Sequence, residues 1–239
     1  MIGSVAYDVI FDIHGQIKNN IVVEGGKAGR QNLMFTAKMK QKHYGGAGAN
    51  IVYGLGQLGV KPILFSSVGQ DFKPHFHAHL KKNGVDIRVH TEKKNWTATY
   101  YGMSDEVKEQ IGVWQPNAHD LLDTVSVADH LDKKTLKNVS VALVHGKPSI
   151  PLRHMSEIRK ILGKSVSIIF DPGQNMALYE KEVFENISES NSNLVNLRQT
   201  SFAGIISECP QMQKIFSIVE KVAATNTTVL IEGESGTGK

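Results

Sequence analysis

Residues 45–69 read GGAGANIVYGLGQLGVKPILFSSVG. A double glycine, a third glycine and an asparagine (Gly45, Gly46, Gly48, Asn50) precede an apolar run with helical spacing, predicted over 50–58. Gly59 closes that run as a C-terminal cap. A hydrophobic, strand-like run, Lys61 to Val68, then ends at Gly69. Glycines let a backbone approach a ligand closely and adopt positive φ. A helix that starts just after them aims free N–H groups at whatever lies over the turn. The pattern therefore reads as a loop, ahead of a helix, that suits gripping a polar, hydroxyl-rich small molecule.

Outward from this block, apolar strands alternate with amphipathic helices. Pro74 to Asn83 is predicted as a helix, with Asp71 as its cap and Gly84 at its end. Val139 to Val144 reads as a buried strand, His154 to Leu162 as a helix, and Ser165 to Phe170 as a strand that delivers Asp171. Such alternation argues for a mostly parallel sheet covered by helices. The polar, β-rich pieces at about 15–44 and 88–115 break it. The second of them contains a predicted hairpin, Thr97 to Gly102 with Glu109 to Trp114. They suit a small sheet beside the main layer.

At this point the chain resembles the PfkB-type (ribokinase-like) sugar and nucleoside kinases. Gly45, Gly46, Gly48, Asn50, Gly59 and Gly69 fall at the spacing of that family's first signature, with Val52 where a small residue is usual. Gly3-Ser4-Val5-Ala6-Tyr7-Asp8 resembles its opening strand, whose terminal Asp holds a pair of substrate hydroxyls. The resemblance runs through Asp171-Pro172-Gly173 to about Asn196. It implies a three-layer α/β fold with a parallel sheet, C-terminally incomplete here, and a small β lid built from about 15–44 and 88–115. It also implies phosphoryl transfer from ATP, with Mg²⁺, to a hydroxyl of a sugar or nucleoside held by Asp8, Gly45, Gly46 and Asn50, and it admits a homodimer through the lid.

Composition changes after about residue 185. Ser188 to Asn193 is polar and turn-prone and reads as a linker. Beyond it, Met212, Ile215, Phe216, Val219, Val222 and Ala223 have helical spacing, and Thr227 to Ile231 is strand-like. Gly233-Glu234-Ser235-Gly236-Thr237-Gly238-Lys239 is G-x-x-x-x-G-K, a phosphate-cradling P-loop less its last residue. Residues of about 200–239 resemble the entry to the ATPase domain of NtrC-type activators, AAA+ machines that act on an alternative sigma factor. The expected domains are therefore 1–196, a PfkB-type portion, and 197–239, a truncated activator segment. The hydroxyl residue and helix that complete a P-loop do not follow Lys239, so an incomplete nucleotide site is expected. The family's G-x-G-D segment, which supplies the catalytic Asp and anion hole, does not occur, and Asn196-Leu197-Arg198-Gln199 has Gln where the metal-ordering N-x-x-E motif has Glu. No catalytic residue is assigned. The expectation is a chain that keeps the substrate half of a kinase site and is inactive by itself. The alternative is a metabolite sensor, or a remnant fusion to a sigma-54-dependent activator.

Bulk properties bound the remaining classes. The 239 residues are 41% hydrophobic and 21% charged, with net charge +4 and one cysteine, Cys209. That composition reads as globular. No apolar run reaches the roughly 18 residues of a membrane span. Asp8 and Asp12 interrupt the early apolar stretch where a signal peptide would need continuity. A single cysteine leaves no internal disulfide. A cytoplasmic protein with no membrane partner is expected. The absence of a basic block argues against direct nucleic-acid binding.

Several features have bland readings. Gly54-Leu55-Gly56-Gln57-Leu58-Gly59 is literally G-x-G-x-x-G, yet it lies inside a predicted helix instead of opening one. His75, His77 and His79 cluster on a predicted helix and read as a solvated face, so no metal site is assigned. Asp12 reads as a turn residue, Asn50 doubles as a helix N-cap candidate, and Asp171 before Pro-Gly is explained by a turn. Tyr101 and Trp114 read as packing aromatics of the hairpin.

Overall fold

The structure is a computed structural model that describes residues 1–20, 23–24, 27–28, 34–183, 187, 201–202 and 205–206. The chain divides into two units, Met1–Asn191 and Ser192–Lys239. The Ser188–Asn193 linker, the 212–223 helix, the 227–231 strand and the P-loop lie outside the described residues. In the second unit, β13 (Ser201–Phe202) pairs antiparallel with β14 (Ile205–Ile206).

The first unit opens with β1 (Ala6–Ile13), followed by the short antiparallel pair β2 (Val23–Glu24) and β3 (Lys27–Ala28), then β4 (Ala37–Gly45) and helix α1 (Ala47–Gln57). β5 (Ile63–Leu64) and β6 (Ser67–Gly69) precede α2 (His75–Lys82), after which come β7 (Asp86–Ile87) and β8 (His90–Glu92). The hairpin strands are β9 (Ala98–Ser104) and β10 (Gln110–Gln115). The unit continues with α3 (Lys133–Lys137), β11 (Val141–His145), α4 (Ser149–Leu162) and β12 (Ser167–Asp171).

A parallel sheet runs through the middle. Ile2 bridges Phe65 on one side and Val144 on the other, both in parallel sense. β11 pairs with β12, β5 with β7 and β6 with β8, again in parallel. The lateral order is therefore β12, β11, the Ile2 segment, the β5–β6 strand and the β7–β8 strand. Period-two alternation splits the apolar side chains between the faces. Leu64 packs with Val5, Val52 of α1 and Phe76 and Leu80 of α2. Its neighbour Phe65 packs with Ile2, Val144 and Ile150, Met155 and Ile158 of α4. Helices thus cover both faces, the arrangement that near-continuous apolar strands require.

The second sheet has the order β10-β9-β1-β4. β1 lies parallel to β9 and antiparallel to β4, so this sheet is mixed. One chain segment therefore serves both sheets. Ile2 belongs to the parallel sheet, and from Ala6 onward the same strand is central to the second one. This double duty was not expected from the polar pieces at 15–44 and 88–115.

Local boundaries differ from the sequence expectations for identifiable reasons. α1 begins at Ala47, three residues before Asn50, because Ser4 caps it from another strand: Ser4 Oγ accepts from Ala47 N at 3.0 Å. Asn50 is therefore not the N-cap. The run Lys61 to Val68 is not one strand but two, broken at Phe65–Ser66. Asp71 does not cap α2; its Oδ1 accepts from Thr97 N at 2.7 Å and ties the loop to β9.

Candidate acceptor-binding site

The candidate site forms where β1 leaves the parallel sheet and passes the N-terminus of α1. At this edge of an α/β sheet, beyond the carboxyl ends of the strands, ligands usually bind. The three glycines are needed for close approach. A Cβ on Gly46, whose φ is +88°, would lie 2.7 Å from both Ser4 O and Ala6 N. One on Gly48 would lie 2.8 Å from Gly3 C and from Ser4 O. One on Gly45 would overlap the Asp8 carboxylate. The loop is thus pressed onto residues 3–8, the lead-in and start of β1.

That packing corrects one expectation. The first N–H groups of α1 are not left free for a ligand, because Ser4 takes two of them. Ala47 N donates to Ser4 Oγ, and Ala49 N donates to Ser4 O at 3.1 Å. Ser4 went unnoticed as a site residue; its signal was a buried hydroxyl in an apolar opening strand. What the loop offers a ligand is steric room beside Asp8.

Asp8 is half-buried, and its carboxylate makes no hydrogen bond among the described residues. Burial pushes its pKa up, and the nearby His43 offsets part of that rise. Asp8, Gly45 and Gly46 are brought together as expected from their motif. Asn50 lies one helical turn beyond Gly46, whose carbonyl accepts from Asn50 N at 2.9 Å. Its side chain is exposed and makes no hydrogen bond among the described residues. Asp12 sits farther along β1, paired with Met39 and Ser104.

The register of the second sheet identifies the neighbours of Asp8. Asp8 is level with His43 on β4 and with Tyr100 on β9, and Tyr100 is level with Trp114 on β10. Residues level across a sheet share a face. Asp8, His43, Tyr100 and Trp114 therefore line one face. The Tyr100 ring lies over Gly102 and Gly112, where added Cβ atoms would run into it. Tyr101 belongs to the other face, with Val113. The two aromatics that read alike in sequence, Tyr101 and Trp114, thus point to opposite sides.

Trp114 meets His119 edge-on, with ring centroids 6.1 Å apart and planes at 77°. His119 lies in the 3-10 turn Asn117–Leu121 that follows β10. It is buried, and its Nδ1 has no hydrogen-bond partner among the described residues. Burial, reinforced by the neighbouring His145, pushes its pKa down to about 4, so it is neutral at physiological pH.

His145 and Asp171 end the paired strands β11 and β12 and are register partners. His145 Nδ1 lies 3.1 Å from Asp171 Oδ2, and Asp171 Oδ1 accepts from Gly173 N at 2.9 Å. The hydrogen bond from His145 is the main cause holding the Asp171 carboxyl below its ordinary range. A turn therefore does not account fully for Asp171. His119 and His145 were missed in the sequence. For His145 a signal existed: it and Asp171 each follow an apolar strand immediately, and adjacent parallel strands bring such ends together.

Other features resolve plainly. Gly54 and Gly56 lie within α1, so the G-x-G-x-x-G string opens no helix. A Cβ on Gly56 would overlap Asn83 O, which explains that glycine as a crossing point of α1 and the end of α2. The histidines of α2 are not a uniformly solvated face. His79 stacks on Tyr53 with centroids 4.9 Å apart and also contacts Tyr44 at 4.8 Å. Among the described residues no group of three or more His, Cys, Asp or Glu side chains gathers as a cation site. No described helix is long and apolar enough to cross a membrane.

The model of the pfkB family of carbohydrate kinases matches residues 2–231. The chain belongs to the PfkB family. Among curated proteins, a nucleoside kinase of Methanocaldococcus jannaschii is 28% identical over 189 residues, which cover 79% of this chain and 56% of the relative. This PfkB chain spans about half the length of the curated relatives of that kind that it matches. The crystal structure of that nucleoside kinase superposes with a TM-score of 0.63 at 24% identity, over 79% of this chain and 56% of the other. A nucleoside kinase of Burkholderia thailandensis, solved in complex with inosine, gives 0.58 at 23% identity, over 79% and 57% of the two chains. At these identities the superpositions establish the ribokinase-like α/β fold. Over 70 residues, 29% of this chain and 15% of the relative, the chain is also 36% identical to the DNA-binding transcriptional regulator NtrC of Escherichia coli K12. That partial match is consistent with an NtrC-type segment in this chain.

Proposed function

We propose that this PfkB-family chain carries the acceptor-binding half of a kinase that moves the γ-phosphoryl group of ATP to a hydroxyl of a nucleoside or sugar. The observation that supports it most is Asp8, a half-buried carboxylate with no hydrogen-bond donor among the described residues. A carboxylate costs free energy to desolvate unless donors reach it. Two neighbouring hydroxyls of a substrate would supply those donors, as charge-assisted bonds. Gly45 and Gly46 leave the room beside it, and Asn50 offers an amide at the same end of α1. The sheet β10-β9-β1-β4 is the lid in this reading, with Tyr100 and Trp114 as apolar surface for the rest of the acceptor. Nucleosides rank before free sugars because the relatives named above are nucleoside kinases.

ATP is the phosphoryl donor that PfkB membership implies, with Mg²⁺ as its companion. Neither is assigned a place among the described residues, and no step is derived through either. Residues Gly233 to Lys239 remain the candidate phosphate loop, and the division into a 1–196 portion and a 197–239 segment is part of this proposal. Because G-x-G-D does not occur in these 239 residues, the chain by itself is expected to bind acceptor and to transfer phosphoryl groups negligibly. A cytoplasmic location and a lid-mediated homodimer belong to the same reading.

A thermal-shift panel of nucleosides and sugars tests it. Stabilisation by at least one nucleoside is the expected result. A panel in which no hydroxyl compound raises the midpoint would sink the reading.

The NtrC match favours a second reading, in which a PfkB-like sensor is joined to a sigma-54-dependent ATPase. It requires a Walker-type acidic strand downstream of Lys239. Sequencing the gene beyond that codon tests it, since a stop codon there would rule it out.

A further inference from the structure

The carboxyl ends of β11 and β12 hold a pair of side chains that binding by Asp8 does not use. Asp171 is engaged on both oxygens, by His145 Nδ1 and by Gly173 N. An ionised carboxylate only accepts, so the proton of the His145 ring lies on Nδ1. With one proton on the ring, the lone pair is then at Nε2, which has no partner among the described residues. The ring is also held sterically. A Cβ on Gly173, whose φ is +52°, would overlap its Cε1. A Cβ on Gly3 would lie 3.3 Å from His145 Cβ and equally 3.3 Å from Gly48 Cα. Gly3 therefore stands between His145 and the glycine loop, and all three line the same carboxyl edge of the parallel sheet.

We propose that His145 is a substrate-contacting residue whose Nε2 accepts a hydrogen bond from a hydroxyl of the acceptor, and that Asp171 is the positioning residue that fixes its ring and tautomer. This rests on the acceptor-binding reading of Asp8. The two groups divide the work: Asp8 takes one hydroxyl pair through charge, and His145 takes a separate hydroxyl through a lone pair held in place. A preorganised acceptor of this kind loses little entropy on binding. It also makes the site sensitive to the loss of one hydroxyl, because a site built around a hydrogen bond rejects the analogue that lacks it.

The test is isothermal titration of the full 239-residue chain with inosine and its 2′-, 3′- and 5′-deoxy analogues. His145→Asn keeps a donor for Asp171 and removes the Nε2 position; His145→Gln restores a polar atom there. His145→Asn is expected to weaken inosine about tenfold, the size of one lost hydrogen bond. The loss should vanish for a single deoxy analogue, and His145→Gln should recover part of it. Asp171→Asn should lose affinity against the same analogue, whereas Asp8→Ala should track a different one. An imidazole ¹⁵N spectrum of the free chain, showing His145 protonated at Nδ1, guards against misfolded variants. Unchanged inosine affinity in His145→Asn, an equal loss across all analogues, or an Nε2-protonated ring would each overturn the proposal while leaving Asp8 untouched. A wild-type chain that binds none of the four compounds would overturn the acceptor-binding reading, and this inference with it.

Discussion

Two carboxylates stand at the carboxyl edge of this molecule, and their surroundings are opposite. Asp8 lies against a glycine, receives no hydrogen bond from the described residues, and has its pKa raised by burial. Asp171 receives two hydrogen bonds and has its pKa lowered, chiefly by the one from His145. A fold that leaves one carboxylate unsatisfied pays a desolvation cost that a ligand can recover. A fold that saturates the other uses it to orient a neighbour. The difference separates a group kept for substrate from a group that holds another group still.

The largest expected effect breaks the Asp8 side of the comparison at its base. Gly46→Ala combines positive φ with a Cβ 2.7 Å from backbone atoms of Ser4 and Ala6. It should cost about 3 kcal/mol of stability in urea unfolding. A loss under about 0.5 kcal/mol, the size of an ordinary surface change, would mean that α1 is not pressed onto β1 as described.

Gly45→Ala should act on the ligand more than on the fold. Its methyl would displace the Asp8 carboxylate, a movable side chain, with nucleoside affinity falling about a hundredfold for two charge-assisted bonds. Unchanged affinity by calorimetry would remove Asp8 from the site.

Acidification probes the strand-end region, where the His119 ring lies against Trp114 and is influenced by His145, Asp120, Lys147 and Asp123. Its folded pKa is depressed from 6.5 to about 4. The unfolded chain therefore binds this proton first as pH falls. The stability that neutral His119 contributes is complete above about pH 6.5 and drains away toward pH 4. Between pH 7.5 and pH 5 the loss from this residue is about 2 kcal/mol. His119→Asn should flatten the stability-versus-pH curve over that window, and an unaltered slope would contradict the burial assigned to the ring.

The smallest effect concerns the apolar wall. Trp114→Ala is expected to weaken nucleoside binding about three- to tenfold, the range of one aromatic contact. Free-sugar binding should change less, because a sugar brings no base to that wall. An equal loss for both ligand types would assign Trp114 to packing alone.

Much of this was legible in the sequence. The glycine signature marked Gly45 and Gly46 as points of close backbone approach, as the structure has them, because a missing Cβ is a local property that spacing reveals. The hairpin and the alternating α/β layers were readable from periodicity, and membership of the PfkB family followed from the same residues. What escaped depends on partners distant in sequence. Ser4 caps α1 from 43 residues away, so the helix start was misplaced and its N–H groups were taken to be free. β1 was read as one strand of one sheet, since nothing in Ile2 to Ile13 announces the passage between two. His145 and His119 are single polar residues at the ends of apolar or aromatic runs. Their meaning appears only when β11 lies beside β12 and the turn after β10 comes near His145.

The central claim is that Asp8 is held ready for hydroxyl donors that the protein does not itself provide. Its most direct test is a calorimetric titration of inosine into the wild-type chain and into Asp8→Ala, with the thermal midpoint of each recorded alongside. The account predicts saturable binding to the wild type, no measurable heat with Asp8→Ala, and a midpoint for the variant equal to or above that of the wild type, since an unsatisfied half-buried charge has been removed. Equal inosine affinity in the two proteins, or a variant that loses binding only because it has unfolded, would contradict it.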